Sequence, residues 1–430
     1  MARARPLAAV ILAAGQGTRM KSDRPKVAFD VCGLPMVRHV VEAARGAGAQ
    51  RVVVVVGHGR AEVEKALRGV PDVRYALQRE QRGTGDAAKA GMAALRDFEG
   101  TLLLLCGDVP LVRTETLRDL LRRHTRARAA ATVLSMVLET PGSYGRVLRE
   151  DGRFTDIREA RDCSPEELAV REVNSGLYAF DAAALRSALR AVKSDNAQRE
   201  YYLTDVPRIL ARRGARVQAV PCDDASEVRG VNTLAELAEA GTRLRLRVLG
   251  DLMAAGVEIA DPATTFVACG ARIGRGTRIL PCTVIERDVV VGEHCEVGPF
   301  SHLRPGTELR ARAEVGNFVE TKQALLGEGA KAKHLTYLGD AAIGARTNVG
   351  CGTITANYDG RAKHRTVVED DVHIGSGTVL VAPVTVGRGA TTGAGAIVLA
   401  GRDVAPGDVV AGVPARSLRA GRSRSTGREA

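Results

Sequence analysis

The feature that most constrains this chain is a six-residue period between Ile273 and Gly401. Ile273, Ile279, Ile285, Val291, Val297, Leu303, Leu309 and Val315 follow one another at six-residue steps. The register resumes at Ile343, Val349 and Thr355, and again at Val368, Ile374, Leu380, Val386, Thr392 and Val398. Gly often follows the aliphatic anchor, and a small residue (Thr, Ser, Ala, Val or Cys) tends to stand four places after it. A period of six matches neither a 3.6-residue helix nor the two-residue alternation of a hairpin strand. It suits a chain that turns a corner every six residues, so that three faces close one triangular coil and coils stack into a parallel β-helix. The anchors then point inward and stack coil on coil, and Gly serves where a side chain would clash. A Gly-rich low-complexity tract does not hold an aliphatic phase through eight successive hexads.

At 430 residues the chain has room for two or three domains. Aromatics are only 3% and Trp is absent, so small aliphatics must build the cores, as a narrow β-helix requires. The net charge of +12 comes largely from scattered Arg and from the segment 416–428. No clustered basic patch with aromatic interleaving or a recognition helix accompanies it, so nucleic acid is not the expected partner. Anionic small substrates such as phosphates and coenzymes suit the same balance. The eight Cys (32, 106, 163, 222, 269, 282, 295 and 351) contain no C-x-x-C pair, and no His stands at zinc-ligand spacing beside them. They are expected as small buried residues in a reducing compartment. The first apolar run is cut by Gly15 and charges, which predicts a strand rather than a signal peptide. No run approaches membrane-spanning length, and a cytoplasmic location is expected.

Along the chain, strands and helices alternate over roughly the first 225 residues. Leu7–Ala14, Arg51–Gly57, Val73–Leu77 and Thr101–Cys106 read as strands; Pro35–Ala47, Ala61–Leu67 and Gly85–Leu95 read as helices. This predicts a doubly wound α/β sheet. Thr233–Ala255 carries one helical pattern, broken only by Gly241 and Gly250. The expected layout is a nucleotide-handling domain over 1–231, a helical linker over 232–255, a β-helix over 256–416 and a disordered basic tail over 417–430.

Ligands of open α/β sheets bind outside the carboxyl ends of the strands. Three features converge there. Leu12-Ala13-Ala14-Gly15-Gln-Gly17-Thr-Arg19-Met20, followed by Lys26, offers backbone N–H groups to phosphate, with a helix expected after the loop. It lacks the third Gly of the dinucleotide fingerprint and the Gly-Lys-Ser/Thr of a Walker loop. Gln78 with Gly83-Thr84-Gly85 opens a helix after a strand and could hold a base edge. Gly107-Asp108 places a carboxylate directly after a buried strand, where it could hold Mg²⁺ against phosphates. Each also has a plain structural reading, as a turn, a helix start or an N-cap.

Taken together the motifs resemble a known family. Leu-Ala-Ala-Gly-x-Gly-Thr-Arg-Met with Pro25-Lys26 is similar to sugar-phosphate nucleotidyltransferases. Joined to hexapeptide repeats, it resembles the bacterial bifunctional N-acetylglucosamine-1-phosphate uridylyltransferase/glucosamine-1-phosphate N-acetyltransferase family. Ser143-Tyr-Gly145-Arg146, Glu159, Val173-Asn174-Ser-Gly176, Glu200-Tyr-Tyr-Leu-Thr-Asp205 and Gly230-Val-Asn232 extend the match, which reaches about Arg419. The resemblance implies an α/β nucleotidyltransferase (Rossmann-like) domain, a helical linker and a left-handed parallel β-helix; the usual right-handed crossover rule would have given the opposite hand. It also implies a homotrimer whose acetyl sites are shared between neighbours. It assigns Leu12, Ala13, Ala14, Gly15, Lys26, Gln78, Gly83 and Thr84 to a uridine nucleotide, and Gly145, Glu159 and Asn174 to the amino sugar. Cys106 and Gly107 belong to the same nucleotide and sugar site, Cys106 standing where the family often has an aromatic residue. Asp108 and Asn232 would bind Mg²⁺.

Two interruptions of the six-residue register, Thr321–Leu338 and Thr355–Val368, suggest loops leaving a rigid scaffold, where sites are built. His334 in the first is the candidate general base, since an amine must lose a proton to attack a thioester and imidazole suits that task. A lone His has a structural reading too; the resemblance, through Lys331-x-Lys333-His334-Leu-Thr-Tyr-Leu-Gly-Asp, supports catalysis. It gives Arg304, Lys322, Tyr337 and Asn348 to glucosamine 1-phosphate, and Cys351, Asn357, Tyr358, Ser376 and Ala394 to acetyl-CoA. His302, His364 and His373 have no such match and read as structural. The β-helix before Arg304 is shorter than the family's by roughly two coils, which bears on domain spacing. Gly412 stands where some members have an Arg that contacts the coenzyme, a role Arg416 could fill. The expected function is therefore acetyl-CoA-dependent acetylation of glucosamine 1-phosphate, then uridylyl transfer from UTP to the product, with pyrophosphate released. The alternative is a uridylyltransferase whose short β-helix serves only oligomerisation.

Overall fold

The computed structural model describes residues 5–418. By its contacts the chain divides into a unit ending at Gly241 and a unit beginning at Thr242. The N-terminal unit is built on one twisted sheet. Its strands are β1 (Leu7–Leu12), β2 (Arg51–Val56), β3 (Val73–Leu77), β4 (Thr101–Cys106), β5 (Ala131–Val137), β6 (Arg146–Glu150), β7 (Arg153–Arg158), β8 (Glu172–Asp181) and β9 (Val217–Pro221). The order is β9-β5-β8-β4-β1-β2-β3, with β6 pairing β8 and β7 pairing β6. Val52 to Val56 and Leu102 to Leu105 are buried without alternation because both faces are covered. Even and odd residues of β1, such as Val10 and Ile11, enter separate cores on the two faces.

Two features differ from the sequence reading. The long strand β8 runs antiparallel to both β4 and β5, so the sheet is mixed. A strand buried on both faces carries no sequence mark of its direction. Nor does an α-helix follow the glycine loop. The chain makes one 3₁₀ turn, Thr18–Met20, and a second, Lys26–Ala28. Gly17 and Lys21 are left-handed at the two ends of the first turn, and Pro25 leads into the second.

His124, on the helix Thr114–Ala127, is buried, with Nδ1 3.0 Å from Thr132 Oγ1. Burial pushes its pKa down from 6.5 to about 4. Between those values the unfolded chain binds the extra proton. Stability is therefore full above the unfolded value and falls as pH drops toward the folded one. The loss is on the order of 3 kcal/mol for a shift of this size. Denaturant unfolding at neutral and at mildly acidic pH should show it, and His124→Leu should flatten that slope.

The helix expected from Thr233 is present as Leu234–Ala254, unbroken at Gly241 or Gly250. Its start carries a capping box: Glu236 N donates to Thr233 Oγ1 and Glu236 Oε2 accepts from Thr233 N. The first strand of the β-helix, Glu258–Ile259, begins just before Asp261.

The second unit is three parallel sheets whose strands recur every third in sequence, consistent with a left-handed parallel β-helix of hexapeptide repeats. The aliphatic anchors from Ile279 to Val398 are buried and form one core, and Thr355 and Thr392 are buried in the same register. Four places on, Thr277, Thr283, Ser301, Thr307, Thr347, Thr353 and Thr378 are buried as well. Their hydroxyls reach backbone carbonyls, for instance Thr277 Oγ1 to Gly292 O at 2.8 Å, or, at Thr307, the Thr321 hydroxyl, so their burial leaves no orphan polar group. A Cβ at Gly350 would stand 2.6 Å from Ile374 O on the next coil, which is why Gly follows the anchor.

The two register breaks have different causes. Leu303 pairs with Thr321, eighteen residues on, but Leu309 pairs with Leu326, Val315 with Ala332 and Thr321 with Leu338, each seventeen on. Two faces here are one residue short, and no loop leaves the coil. Between Thr355 and Val368 a true loop emerges, closed by a bridge between Tyr358 and Lys363. Of the eight cysteines only Cys295 is fully buried, against the expectation for all. The basic tail assigned from Ser417 begins inside a strand, Arg416–Ser417, that pairs antiparallel with Val409–Ala411. Residues 419–430 lie outside the described residues. Among those described, no helix is long and apolar enough to cross a membrane.

Candidate functional site

In the N-terminal unit β1 lies between β2 and β4, so the chain leaves β1 toward one side of the sheet and returns on the other. A crevice opens at such a switch point. Leu12 pairs with Cys106, and Gly107 N donates to Leu12 O at 2.9 Å, which brings the two loops together. Lys26 Nζ donates to Asp108 Oδ2 and, at 2.9 Å, to Asn232 Oδ1. Arg19 Nη2 donates to the same Asn232 oxygen at 2.9 Å. Residues 82 and 206 positions apart from Lys26 thus meet at one ammonium. Asn232 is fixed by the helix that follows, its N–H donating to Glu236 Oε2 at 2.6 Å.

Ala13, Ala14 and Gly15 continue from β1, and Gln81 Nε2 donates to Ala14 O at 3.0 Å. Gln78 is buried; Nε2 donates to Gly83 O and Asp86 Oδ2, which leaves its carbonyl oxygen as the group it can offer. Gly83 packs against the backbone of Tyr201, and Thr84 Oγ1 accepts from Leu203 N at 3.1 Å. Both residues thus also seat the 200–204 segment.

On the other side of the crevice, Gly145 O accepts from Asn174 N at 2.8 Å. Asn174 Nδ2 donates to Tyr178 and its Oδ1 accepts from Gly176 N. Thr204 Oγ1 donates to Glu159 Oε1 at 3.0 Å. Burial, reinforced by Asp162, Asp205 and Glu200, holds the Glu159 carboxyl above its ordinary range, against the Thr204 bond. A carboxyl with no cationic partner among its hydrogen bonds, raised by burial, is suited to receive ligand hydroxyl or amide protons. Cys106 lies against Gly176 of this group. Its thiol donates to Gly176 O at 3.4 Å, and burial, then Asp108, push its pKa up to about 12.

In the β-helix, Ala332 pairs with Val349, Val349 with Ile374, Ile374 with Thr392 and Thr392 with Val410. Two residues after these lie His334, Cys351, Ser376, Ala394 and Gly412. They form one ladder along a corner, with Gly377 N to Cys351 O at 2.7 Å and Gly395 N to Ser376 O at 2.8 Å. At strand spacing the ladder is roughly 19 Å long. Arg416 stands opposite Ala411, beside its Gly412 end.

The neighbouring face carries the remaining candidates except Asn348, which stands on the ladder's own face. Glu320 pairs with Tyr337 and Lys322 with Gly339, and Arg304 Nη1 donates to Glu320 at 2.7 Å. Asn348 pairs with Lys331 one residue before its coil's anchor. Asn357 and Tyr358 begin the emergent loop, whose hub is Asp359. Its carboxylate accepts from Arg361 N, Ala362 N and His364 Nε2, which holds its pKa well below the carboxylate range. Lys363, which the sequence reading did not single out, lies against Lys322 and, ahead of Arg304, lowers the Lys322 pKa. Three converging cations are a place for an anion.

Residues 9–204 match the family described as MobA-like NTP transferase domain, and residues 270–305 the bacterial transferase hexapeptide (six repeats). The chain is 47% identical to the protein named Bifunctional protein GlmU of Geobacter metallireducens, over 93% of this chain and 94% of that one. The proteins of the same name from Geotalea uraniireducens and Pelobacter propionicus are 46% and 45% identical, with 93% and 98% of this chain covered and 95% and 97% of theirs. The chain belongs to the bifunctional GlmU family.

In this chain the donor set at the crevice suits a divalent cation. Asp108 and Asn232 supply two hard oxygens that already share a cation, the Lys26 ammonium. Mg²⁺ is commonly held by one or two such oxygens, with phosphates and water completing the shell. Lys363, Glu236 and Gln81 are neighbours of the candidate residues that sequence reasoning missed. Only Glu236 left a signal, the Thr-x-x-Glu capping box.

Proposed function

We propose that this chain makes UDP-N-acetylglucosamine in two steps, with one site in each unit. In the β-helix the amine of glucosamine 1-phosphate attacks the thioester carbon of acetyl-CoA. His334 takes the amine proton, the carbon–sulfur bond breaks, and the coenzyme thiol leaves with a proton. Arg304, Lys322 and Lys363 hold the sugar phosphate, with Tyr337 and Asn348 on the sugar. Cys351, Asn357, Tyr358, Ser376 and Ala394 line the coenzyme. The observation that carries this reading is the ladder from His334 to Ala394: a base at one end of a straight corner, with small residues beyond it where an extended coenzyme can lie. A β-helix used only for oligomerisation has no need of it.

In the N-terminal unit the phosphate of N-acetylglucosamine 1-phosphate attacks the α-phosphorus of UTP in line, and pyrophosphate leaves. Positioning and charge neutralisation are what such a transfer needs. The backbone from Leu12 to Gly15, with Gly83, Thr84 and Gly107, shapes the nucleotide site. The Gln78 carbonyl meets the uracil edge, and Gly145, Glu159 and Asn174 receive the sugar. Asp108 and Asn232 would hold Mg²⁺, which supplies charge neutralisation to the phosphates when bound. Lys26 and Arg19 add positive charge there.

Both co-substrates, UTP and acetyl-CoA, are held inside the cell, and we place the enzyme in the cytoplasm. The assembly is a homotrimer. Supporting it, Phe300, Phe318 and Leu335 occupy one corner of three successive coils and are 50%, 56% and 60% exposed. The two Phe rings stack at 5.2 Å. An apolar ridge of this kind marks a protein contact. Light scattering should return three protomer masses; a monomer would remove the trimer from the proposal.

The test of function is to supply glucosamine 1-phosphate and acetyl-CoA and follow thiol release, then N-acetylglucosamine 1-phosphate and UTP and follow pyrophosphate. Absence of thiol release by the unmodified protein overturns the two-step reading.

A further inference from the structure

Asn357 is the most deeply buried of the residues assigned to the coenzyme, only 8% exposed, although it opens a loop. Its amide needs a partner to hold one orientation, and the structure supplies a single carboxylate. Asn357 Nδ2 donates to Asp340 Oδ2. Asp340 is itself fixed at both backbone ends. Its N–H donates to Lys322 O at 3.0 Å, and its carbonyl accepts from Thr366 N at 3.1 Å. Thr366 opens the strand after the loop, so Asp340 sits where the loop's two ends meet. Between Asp340 and Tyr337 stands Gly339, where a Cβ would fall against the Tyr337 hydroxyl and within 2.8 Å of Asn357 Nδ2. The two side chains therefore close over bare backbone. Gly339 N is in turn held by Thr355 Oγ1 at 2.8 Å.

We propose that Asp340 is a positioning residue of the acetyl-transfer site. By accepting the Asn357 N–H it turns the amide oxygen outward, toward the coenzyme, and it keeps Asn357 and Tyr337 together over Gly339. This places the loop's coenzyme contacts against the sugar side of the preceding coil. Asp340 touches no reacting atom in this scheme; it acts through Asn357. The assignment rests on the acetyltransferase reading above.

The test compares wild type, Asp340→Ala and Asp340→Asn for thiol release, with uridylyl transfer as a control for folding. Asp340→Ala should raise the KM for acetyl-CoA about tenfold, as expected when a buried amide loses its one hydrogen-bond acceptor, with a smaller change in kcat. Asp340→Asn, which retains an oxygen acceptor for Asn357, should restore the KM to within about twofold, since the acceptor and not the charge does the positioning. In the double variant with Asn357→Ala, Asp340→Ala should add nothing to KM. Should Asp340→Ala fail to fold, Asp340→Ser, too short to reach Asn357, replaces it. An unchanged KM for acetyl-CoA in Asp340→Ala or Asp340→Ser, or additive effects in the double variant, overturns the assignment while leaving the acetyltransferase reading in place. No thiol release by wild type overturns both.

Discussion

His334→Ala should lower the turnover of acetyl transfer by about 10²–10⁴-fold, the range for loss of a positioned general base, with uridylyl transfer unchanged. The imidazole lies at the end of the strand Lys331–His334 and is exposed, with no core around it to collapse. The coil beneath is held by its anchor Ala332 and by the pairing of Asn317 with His334, both of which survive the change. The deficit should therefore appear in kcat, with little movement in melting temperature. A variant that retains thiol release within a few-fold of wild type would move the base elsewhere.

The second large effect is expected at Asp108. Asp108→Ala should lower uridylyl transfer by about 10²–10³-fold, the scale for removing one preorganised electrostatic group, and leave acetyl transfer intact. Asp108 shares the Lys26 ammonium with Asn232, and its removal deletes both a cation ligand and the partner that aims Lys26. Higher Mg²⁺ or Mn²⁺ should recover part of the loss if the carboxylate holds metal, and none if it serves only to orient Lys26. Pyrophosphate release measured across a metal titration separates the two. A parallel loss of thiol release would instead indicate a general folding defect and would contradict two separable sites.

The β-helix was legible because its information is local and repeated. Each coil contributes an anchor, and a shift of one residue would turn that anchor outward, so the phase is held from Ile273 to Val315 and again from Val368 to Val398. The same locality made the breaks ambiguous. A face one residue short after Thr321 and a loop after Thr355 both look like lost phase, and only strand pairing distinguishes them. His334 therefore stands on a regular coil, not on the loop that the break suggested.

In the N-terminal unit the strands Val73–Leu77 and Thr101–Cys106 were legible to the residue: the second is an apolar run between glycines, and the first, apolar but for Arg74, is bounded by Asp72 and Gln78. The direction of Glu172–Asp181 was not, because a doubly buried strand reads the same either way. The short 3₁₀ turn after Gly17, ended by the left-handed Lys21, was likewise hidden. What replaces the missing helix terminus at the phosphate loop is Arg19 and Lys26, aimed by their shared bond to Asn232.

The sequence by itself determined the two architectures and the residue types each site needs, since periodicity and loop chemistry depend on neighbours within a few positions. Tertiary structure alone decided which of those residues meet. Lys26, Asp108 and Asn232 join through sheet order. His334, Cys351, Ser376 and Ala394 join because unequal coils, seventeen, twenty-five and eighteen residues long, bring the same corner back into line. Lys363 reaches Lys322 because the loop after Ala356 folds back along the face to a strand two coils earlier. Each of these depends on distances along the chain that the backbone must close, and no local signal carries them.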